Sequence, residues 1–223
     1  MENNQEHTRV IESFLRGAER KALDYFCARA PAWANPDTMT TIGIIGSIMI
    51  ATGYILTYVH PAFLWLATLG FVVNWYGDSM DGTLARYRKI ERPKYGYYVD
   101  HAVDIVSEFI VIIALGISPL VRFEIAALAL IGYLMMSGHV FLRTYVDQVF
   151  QISYGRLGPT EVRVIFMTIN TIVFFVGNPS FDVFSSVSLT LFDFVIAGIA
   201  ALLFFFFFTS MVKTSRFLAK AGE

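Results

Sequence analysis

Cysteine is almost missing: Cys27 is the single one in 223 residues, which excludes a disulfide within the chain and fits a reducing compartment or no redox role. Charge is scarce too. Only 16% of residues are charged against 56% hydrophobic, with 21 phenylalanines and a mean hydropathy of +0.57. A soluble domain of this size rarely carries so few charges, so lipid is expected to be the solvent for much of the surface. The formal net charge of −1 gives no general attraction to a polyanion, and no nucleic-acid partner is expected. The first 37 residues are too polar for a signal peptide, so no cleaved leader is read there.

What is present is a series of apolar runs. A helix crosses a bilayer with about 20 residues. Six candidates fit, near 39–58, 61–80, 97–117, 122–146, 162–177 and 187–212. The last contains five consecutive phenylalanines, 204–208, and the fifth is the shortest and carries Thr168, Asn170 and Thr171. Turn signals divide them at His60-Pro61, Pro93, Ser118-Pro119, Gly158-Pro159 and Gly177-Asn178-Pro179. The expectation is an all-α integral membrane protein of six transmembrane helices.

Lysine and arginine then orient it. Arg9, Arg16, Arg20, Lys21 and Arg29 precede the first span, and Arg86, Arg88, Lys89, Arg92 and Lys94 join the second to the third. Arg143, Arg156 and Arg163 flank the fourth connection, and Lys213, Arg216 and Lys220 follow the sixth span. With six spans, sixteen of the seventeen basic residues fall on one side and only Arg122 on the other. The positive-inside rule places that side, with both termini, in the cytoplasm, which for a bacterium means the inner membrane.

Ahead of the first span, Ile11, Phe14, Leu15, Ala18, Ala22, Tyr25 and Phe26 recur at helical spacing among charged residues. They predict an amphipathic helix lying in the cytoplasmic interface, the alternative being a helix packed on a soluble partner. The expected organisation is a juxtamembrane segment over 1–36, a six-helix domain over 37–213 and a cytoplasmic tail over 214–223.

The charge that does exist is concentrated in one stretch, GDSMDGTLARYRKIERPKYGYYVDHAVD, residues 77–104. Nothing breaks a helix between Asp81 and Ile90, so Asp78, Asp81, Gly82, Ala85 and Arg86 share one helix face. On the following helix Gly96, Asp100 and Asp104 recur every four residues and share another. A turn around Pro93 is expected to make the two helices antiparallel neighbours, with four carboxylates converging at the cytoplasmic edge of the membrane. Four such groups cannot all stay ionised in a partly desolvated site unless some protonate or cations bind among them. Carboxylates without histidine or cysteine clusters suit Mg²⁺ or Mn²⁺, and two such ions about 4 Å apart would clamp a phosphoryl group. Gly82, Ala85 and Gly96 leave room for a ligand, and Arg86 supplies a fork for phosphate.

The pattern Asp78-x2-Asp81-Gly82-x2-Ala85-Arg86-x9-Gly96-x3-Asp100-x3-Asp104 resembles the signature of the CDP-alcohol phosphatidyltransferases, membrane enzymes of phospholipid biosynthesis. Every defining position is present, and span number and chain length match as well. The resemblance implies that Asp78, Asp81 and Asp100 ligate two divalent metals and that Asp104 is the general base and a further metal ligand, with His101 as its competitor for the base. It implies that Asp78, Gly82, Ala85, Arg86 and Gly96 line the cytidine diphosphate site. Pro36-Asp37-Thr38-Met39-Thr40 resembles the family's Pro-Asn-x-Leu-Thr at the start of the first span, which adds Thr40 to the nucleotide site, with Asp37 in place of the usual Asn. The implied reaction joins a CDP-alcohol donor to an alcohol acceptor and releases CMP, and a homodimer is implied too.

Two assignments of donor and acceptor stay open. The donor is CDP-diacylglycerol and the acceptor a small polar alcohol, whose phosphate Arg143 and Arg163 could bind. Otherwise the donor is a CDP-amino alcohol and the acceptor diacylglycerol, as Asp100-His101 and Gly158-Pro159-Thr160-Glu161 hint. Glu108, one turn beyond Asp104, either lines the acceptor pocket or pairs within the bundle. The rival class is a transporter with a carboxylate-lined metal or proton site. Transporter acids sit near the bilayer midplane on broken helices, whereas these lie at one edge.

Overall fold

The structure, a computed structural model, describes residues 8–10, 15–147, 149–151, 158–184 and 187–221. Ile11, Phe14 and Arg156 lie outside the described residues. Among the described residues the chain folds as seven helices: α1 Arg16–Arg29, α2 Pro36–Leu56, α3 Phe63–Arg88, α4 Pro93–Ile117, α5 Phe123–Asp147, α6 Pro159–Val176 and α7 Leu191–Ala221. Two small strand pairs accompany them. β1 (Thr8–Val10) runs parallel to β2 (Val149–Gln151), and β3 (Ser180–Phe184) pairs antiparallel with β4 (Val187–Thr190).

Helix boundaries follow local chemistry. At the start of α2, Asn35 accepts a hydrogen bond from Thr38 N at 2.9 Å and Pro36 occupies the first turn, where its missing N–H costs nothing. α3 runs on past the expected edge of its span to Arg88 and stops where Lys89 takes a left-handed backbone (φ 56°). Pro93 then opens α4. The sixth apolar run begins as helix only at Leu191, not 187. Thr190 and Asp193 close a reciprocal cap there, with Asp193 N donating to Thr190 Oγ1 (3.1 Å) and Thr190 N to Asp193 Oδ2 (2.8 Å). The residues before it are used in β4. α7 runs unbroken to Ala221, so residues 214–221 continue the helix across the expected tail boundary.

Four helices, α2, α5, α6 and α7, are long and apolar enough to cross a membrane. α3 and α4 have 26 and 25 residues, also long enough for the hydrocarbon core, but they carry the acidic and basic residues of the quoted stretch. Ile48, Trp65, Leu69, Leu128, Ile131 and Phe205 are exposed on the outside of the bundle, the surface chemistry of a protein solvated by lipid.

The main core lies between α2, α3, α4, α5, α6 and α7. Tyr54 and Phe192 are fully buried at its centre, and Phe71 stacks on Phe166 with centroids 5.3 Å apart. A smaller core of Leu23, Cys27, Met39, Met80 and Leu84 joins α1 to the acidic end of α3. α1 therefore packs on α3, and its inward face is Leu23 and Cys27, with Ala18 and Tyr25 on the exposed side.

The expected pairing of α3 with α4 is not what forms. α2 lies between them and packs against both, while α3 and α4 themselves scarcely touch. Glycine decides this. A Cβ on Gly77 would lie 2.2 Å from the backbone nitrogen of Gly43, and one on Gly46 would lie 2.3 Å from that of Asn74. Backbone meets backbone along the α2–α3 seam, an approach that only glycine permits.

Candidate active site

An open cleft lies at the acidic end of α3, with about 240 Å³ of empty space when the adjoining solvent is included. Its walls are acids from two helices, Asp78 and Asp81 of α3 and Asp100 and Asp104 of α4. α2 contributes the floor with Thr40 and Gly43, and Asn74, Val103 and Ser107 complete the lining. Thus the carboxylates converge although their helices are not neighbours. The gap left between α3 and α4, floored by a glycine, is the cleft itself.

Each acid is held differently. Thr40 Oγ1 donates to Asp81 Oδ2 at 2.8 Å, and the Gly82 N–H donates to Asp81 Oδ1 at 2.5 Å, so both oxygens of Asp81 are oriented. Asp78 Oδ2 forms an ion pair with Arg163 Nη2 of α6 at 2.6 Å. Arg163 is further fixed by Nε donating to Asn74 Oδ1 at 2.9 Å, and the Asn74 amide donates in turn to Gly43 O (3.1 Å) and Ser47 Oγ (3.0 Å). Asp100, His101 and Asp104 form the tightest group, each offering a ligand atom within 4.8 Å of the others. His101 Nδ1 lies 3.7 Å from Asp100 Oδ2, yet its ring sits against Tyr97 and Phe141 (centroids 4.3 and 5.4 Å) and does not line the cleft.

The donor set fits a hard divalent cation. The cleft is lined by four carboxylates, a hydroxyl, an amide and a second hydroxyl, and no cationic side chain is among the lining groups. Oxygen donors of this number and charge match Mg²⁺ or Mn²⁺.

Other residues expected at the site are placed away from it. Gly96 is on the exposed first turn of α4, with nothing within 4 Å of where its Cβ would be. Arg86 is exposed; its guanidinium folds back over Gly82 and donates to Thr83 Oγ1 at 3.3 Å. Ala85 is half-buried outside the lining, as is Arg143. Asp37 forms an ion pair with Arg92 of the α3–α4 connection, at exposed positions on both sides. Asn74, Gly43 and Ser107 are site residues that the motif did not reveal. Asn74 is one turn before Asp78 and Ser107 three residues after Asp104, so the acidic faces, extended by one turn each, would have found both.

Residues 33–206 match the family described as CDP-alcohol phosphatidyltransferase. The chain belongs to that family. All four aspartates of the cleft lie within the matched residues. It is also similar to the archaetidylinositol phosphate synthase of Pyrococcus horikoshii, at 27% identity over 106 residues. That match covers 45% of this chain, and the chain spans 55% of the length of that relative.

Proposed function

We propose that this transferase moves the substituted phosphate of a CDP-alcohol to an acceptor hydroxyl, with CMP as the leaving group, in phospholipid biosynthesis. The observation that carries the proposal is the convergence of the four signature aspartates on one cleft. A new P–O bond forms to the acceptor oxygen, the P–O bond to CMP breaks, and the hydroxyl proton passes to a carboxylate of the site. Asp104 is the residue proposed to take it: it lines the cleft, whereas the His101 ring is turned towards Tyr97 and Phe141. Divalent ions bound by Asp78, Asp81, Asp100 and Asp104 would supply charge compensation for the transferring phosphate.

The chain's own groups do the rest. Thr40 orients Asp81, and Gly43 lets α2 close onto the α3 backbone at the floor of the cleft. Gly82, Ala85, Gly96 and Arg86 are proposed for the nucleotide on the strength of the family signature. Arg86 lies at the exposed rim, where a change of side-chain rotamer would carry its fork to a phosphate. Arg163, behind the lining but paired with Asp78 and fixed by Asn74, is proposed to bind an anionic acceptor, with Arg143 as the second candidate; neither side chain lines the cleft itself. The Pyrococcus relative is named for making archaetidylinositol phosphate, a phosphate-bearing product, which favours an anionic acceptor here as well.

α3 and α4 are proposed as the two further spans, giving six, with the acidic cleft and both termini on the cytoplasmic side according to the positive-inside rule. α1 would then lie at that interface, its packed face on α3 and Tyr25 exposed.

The test is a panel of CDP-alcohols and acceptors given to the purified protein with Mg²⁺ or Mn²⁺. CMP release coupled to a lipid product of the expected mass supports the proposal. No CMP from any pair would overturn it.

A further inference from the structure

Outside the lining of the acidic cleft, α1 forms a hydrogen-bond knot with α3 and α6 that the proposed reaction does not use. Glu19 of α1 is half-buried, and one of its oxygens, Oε1, accepts from three donors on two other helices. These are Trp75 Nε1 at 2.9 Å and Ser79 Oγ at 3.2 Å, both on α3, and Thr160 Oγ1 at 2.8 Å on α6. A reciprocal contact secures the same corner, where Glu161 of α6 accepts from Leu15 N at the head of α1 (2.9 Å) and from Gly158 N (3.0 Å).

The position of these donors gives the knot its meaning. Ser79 is the residue after Asp78, and Thr160 is three residues before Arg163, about one helical turn. α3 and α6 are therefore fastened at neighbouring levels through Glu19, through the Asp78–Arg163 ion pair and through the Arg163–Asn74 hydrogen bond. Were Asp78 to take another partner during turnover, Asn74 would still hold the Arg163 guanidinium, and Glu19 would hold the start of α6 from which Arg163 projects.

We propose that Glu19 is a positioning residue that sets where α6 holds Arg163 relative to the acids of α3; this rests on the proposed role of Arg163 in binding an anionic acceptor. Glu19→Ala removes the common acceptor and leaves the Trp75, Ser79 and Thr160 donors without it. Glu19→Gln keeps an oxygen in the same place and serves as the conservative rescue.

The experiment reads two quantities on the full chain in detergent with the substrate pair found by the panel: steady-state kinetics, and the indole ¹⁵N–¹H resonance of Trp75. Glu19→Ala is expected to move the Trp75 resonance and raise the acceptor KM about 10-fold, with the donor KM within about twofold, as a displacement of an ångström or less would do. Glu19→Gln is expected close to the unmodified chain in both readouts. In an Arg163→Gln background Glu19→Ala should raise the acceptor KM no further. Should Glu19→Ala fold poorly, Thr160→Val breaks only the α6 strand of the knot and is expected to raise the acceptor KM about threefold. An acceptor KM unchanged despite a moved resonance overturns the proposal. So does an equal rise in both KM values, or additivity with Arg163→Gln. If the unmodified chain releases no CMP, the proposed function falls and the positioning role with it, while the Trp75 resonance still reports the knot.

Discussion

Arg163 Nη2 lies 2.6 Å from Asp78 Oδ2, so a residue proposed for the acceptor is directly joined to a residue proposed for the metal. The pair is largely shielded, with 13% and 23% of the two side chains exposed, and Asn74 fixes the guanidinium from the side. Charge-assisted hydrogen bonds of this kind contribute about 1.5–3 kcal/mol.

Loss of Arg163 therefore has a defined kinetic signature. Arg163→Gln is expected to raise the KM for a phosphorylated acceptor by about 10- to 100-fold, the equivalent of one such contact, and to leave the donor KM nearly unchanged. Lysine should rescue poorly because it lacks the fork that meets Asn74 and Asp78 together. Steady-state kinetics with each substrate varied in turn is the check. Equal losses for donor and acceptor would assign Arg163 a structural role.

Two glycines of the same stretch should separate packing from binding. At Gly77 an added Cβ meets the Gly43 nitrogen at 2.2 Å, so Gly77→Ala is expected to destabilise the bundle by about 1–3 kcal/mol, read as a lower thermal midpoint in detergent. At Gly96 nothing lies within 4 Å, and alanine costs the fold nothing there. Gly96→Ala should leave the midpoint unchanged or raised, while raising the donor KM if the nucleotide lies against this turn. A stable Gly77→Ala protein would contradict the backbone contact, and an unaltered donor KM in Gly96→Ala would remove Gly96 from the site.

The acidic faces were legible because spacing on a helix is a local property: Asp78 with Asp81, and Asp100 with Asp104, each keep the register their separation implies. All six apolar runs appear as helices, with ends moved by caps and turns such as Thr190–Asp193 and Lys89. Which helices would pack together was not legible. A short turn suggested α3 against α4, but the close fit of Gly43 and Gly46 to Gly77 and Asn74 placed α2 between them. The inward face of α1 was also hidden. Periodicity marked Ile11, Phe14, Leu15, Ala18, Ala22, Tyr25 and Phe26; Phe26 does pack on the small core, but Ala18 and Tyr25 are exposed and the buried residues are Leu23 and Cys27. Glu19 can face inward because three donors from other helices meet it, and Tyr25 can face outward with the Arg29 guanidinium 3.6 Å from its ring centroid. The partners of Glu19 come from residues 56 to 141 positions away, beyond any local pattern.

Divalent-ion binding by the substrate-free protein is the most direct measurement. Mn²⁺ is titrated into the purified chain and the free ion followed by electron paramagnetic resonance, alongside Asp78→Asn and Asp100→Asn, one acid from each wall. The unmodified chain is expected to bind Mn²⁺ saturably. Each variant should bind at least about 10-fold more weakly, elute as the same folded species, and lose metal-dependent CMP release by about 10²-fold or more. Unchanged Mn²⁺ affinity in both variants, or near-normal turnover in either, would contradict a shared metal site between α3 and α4.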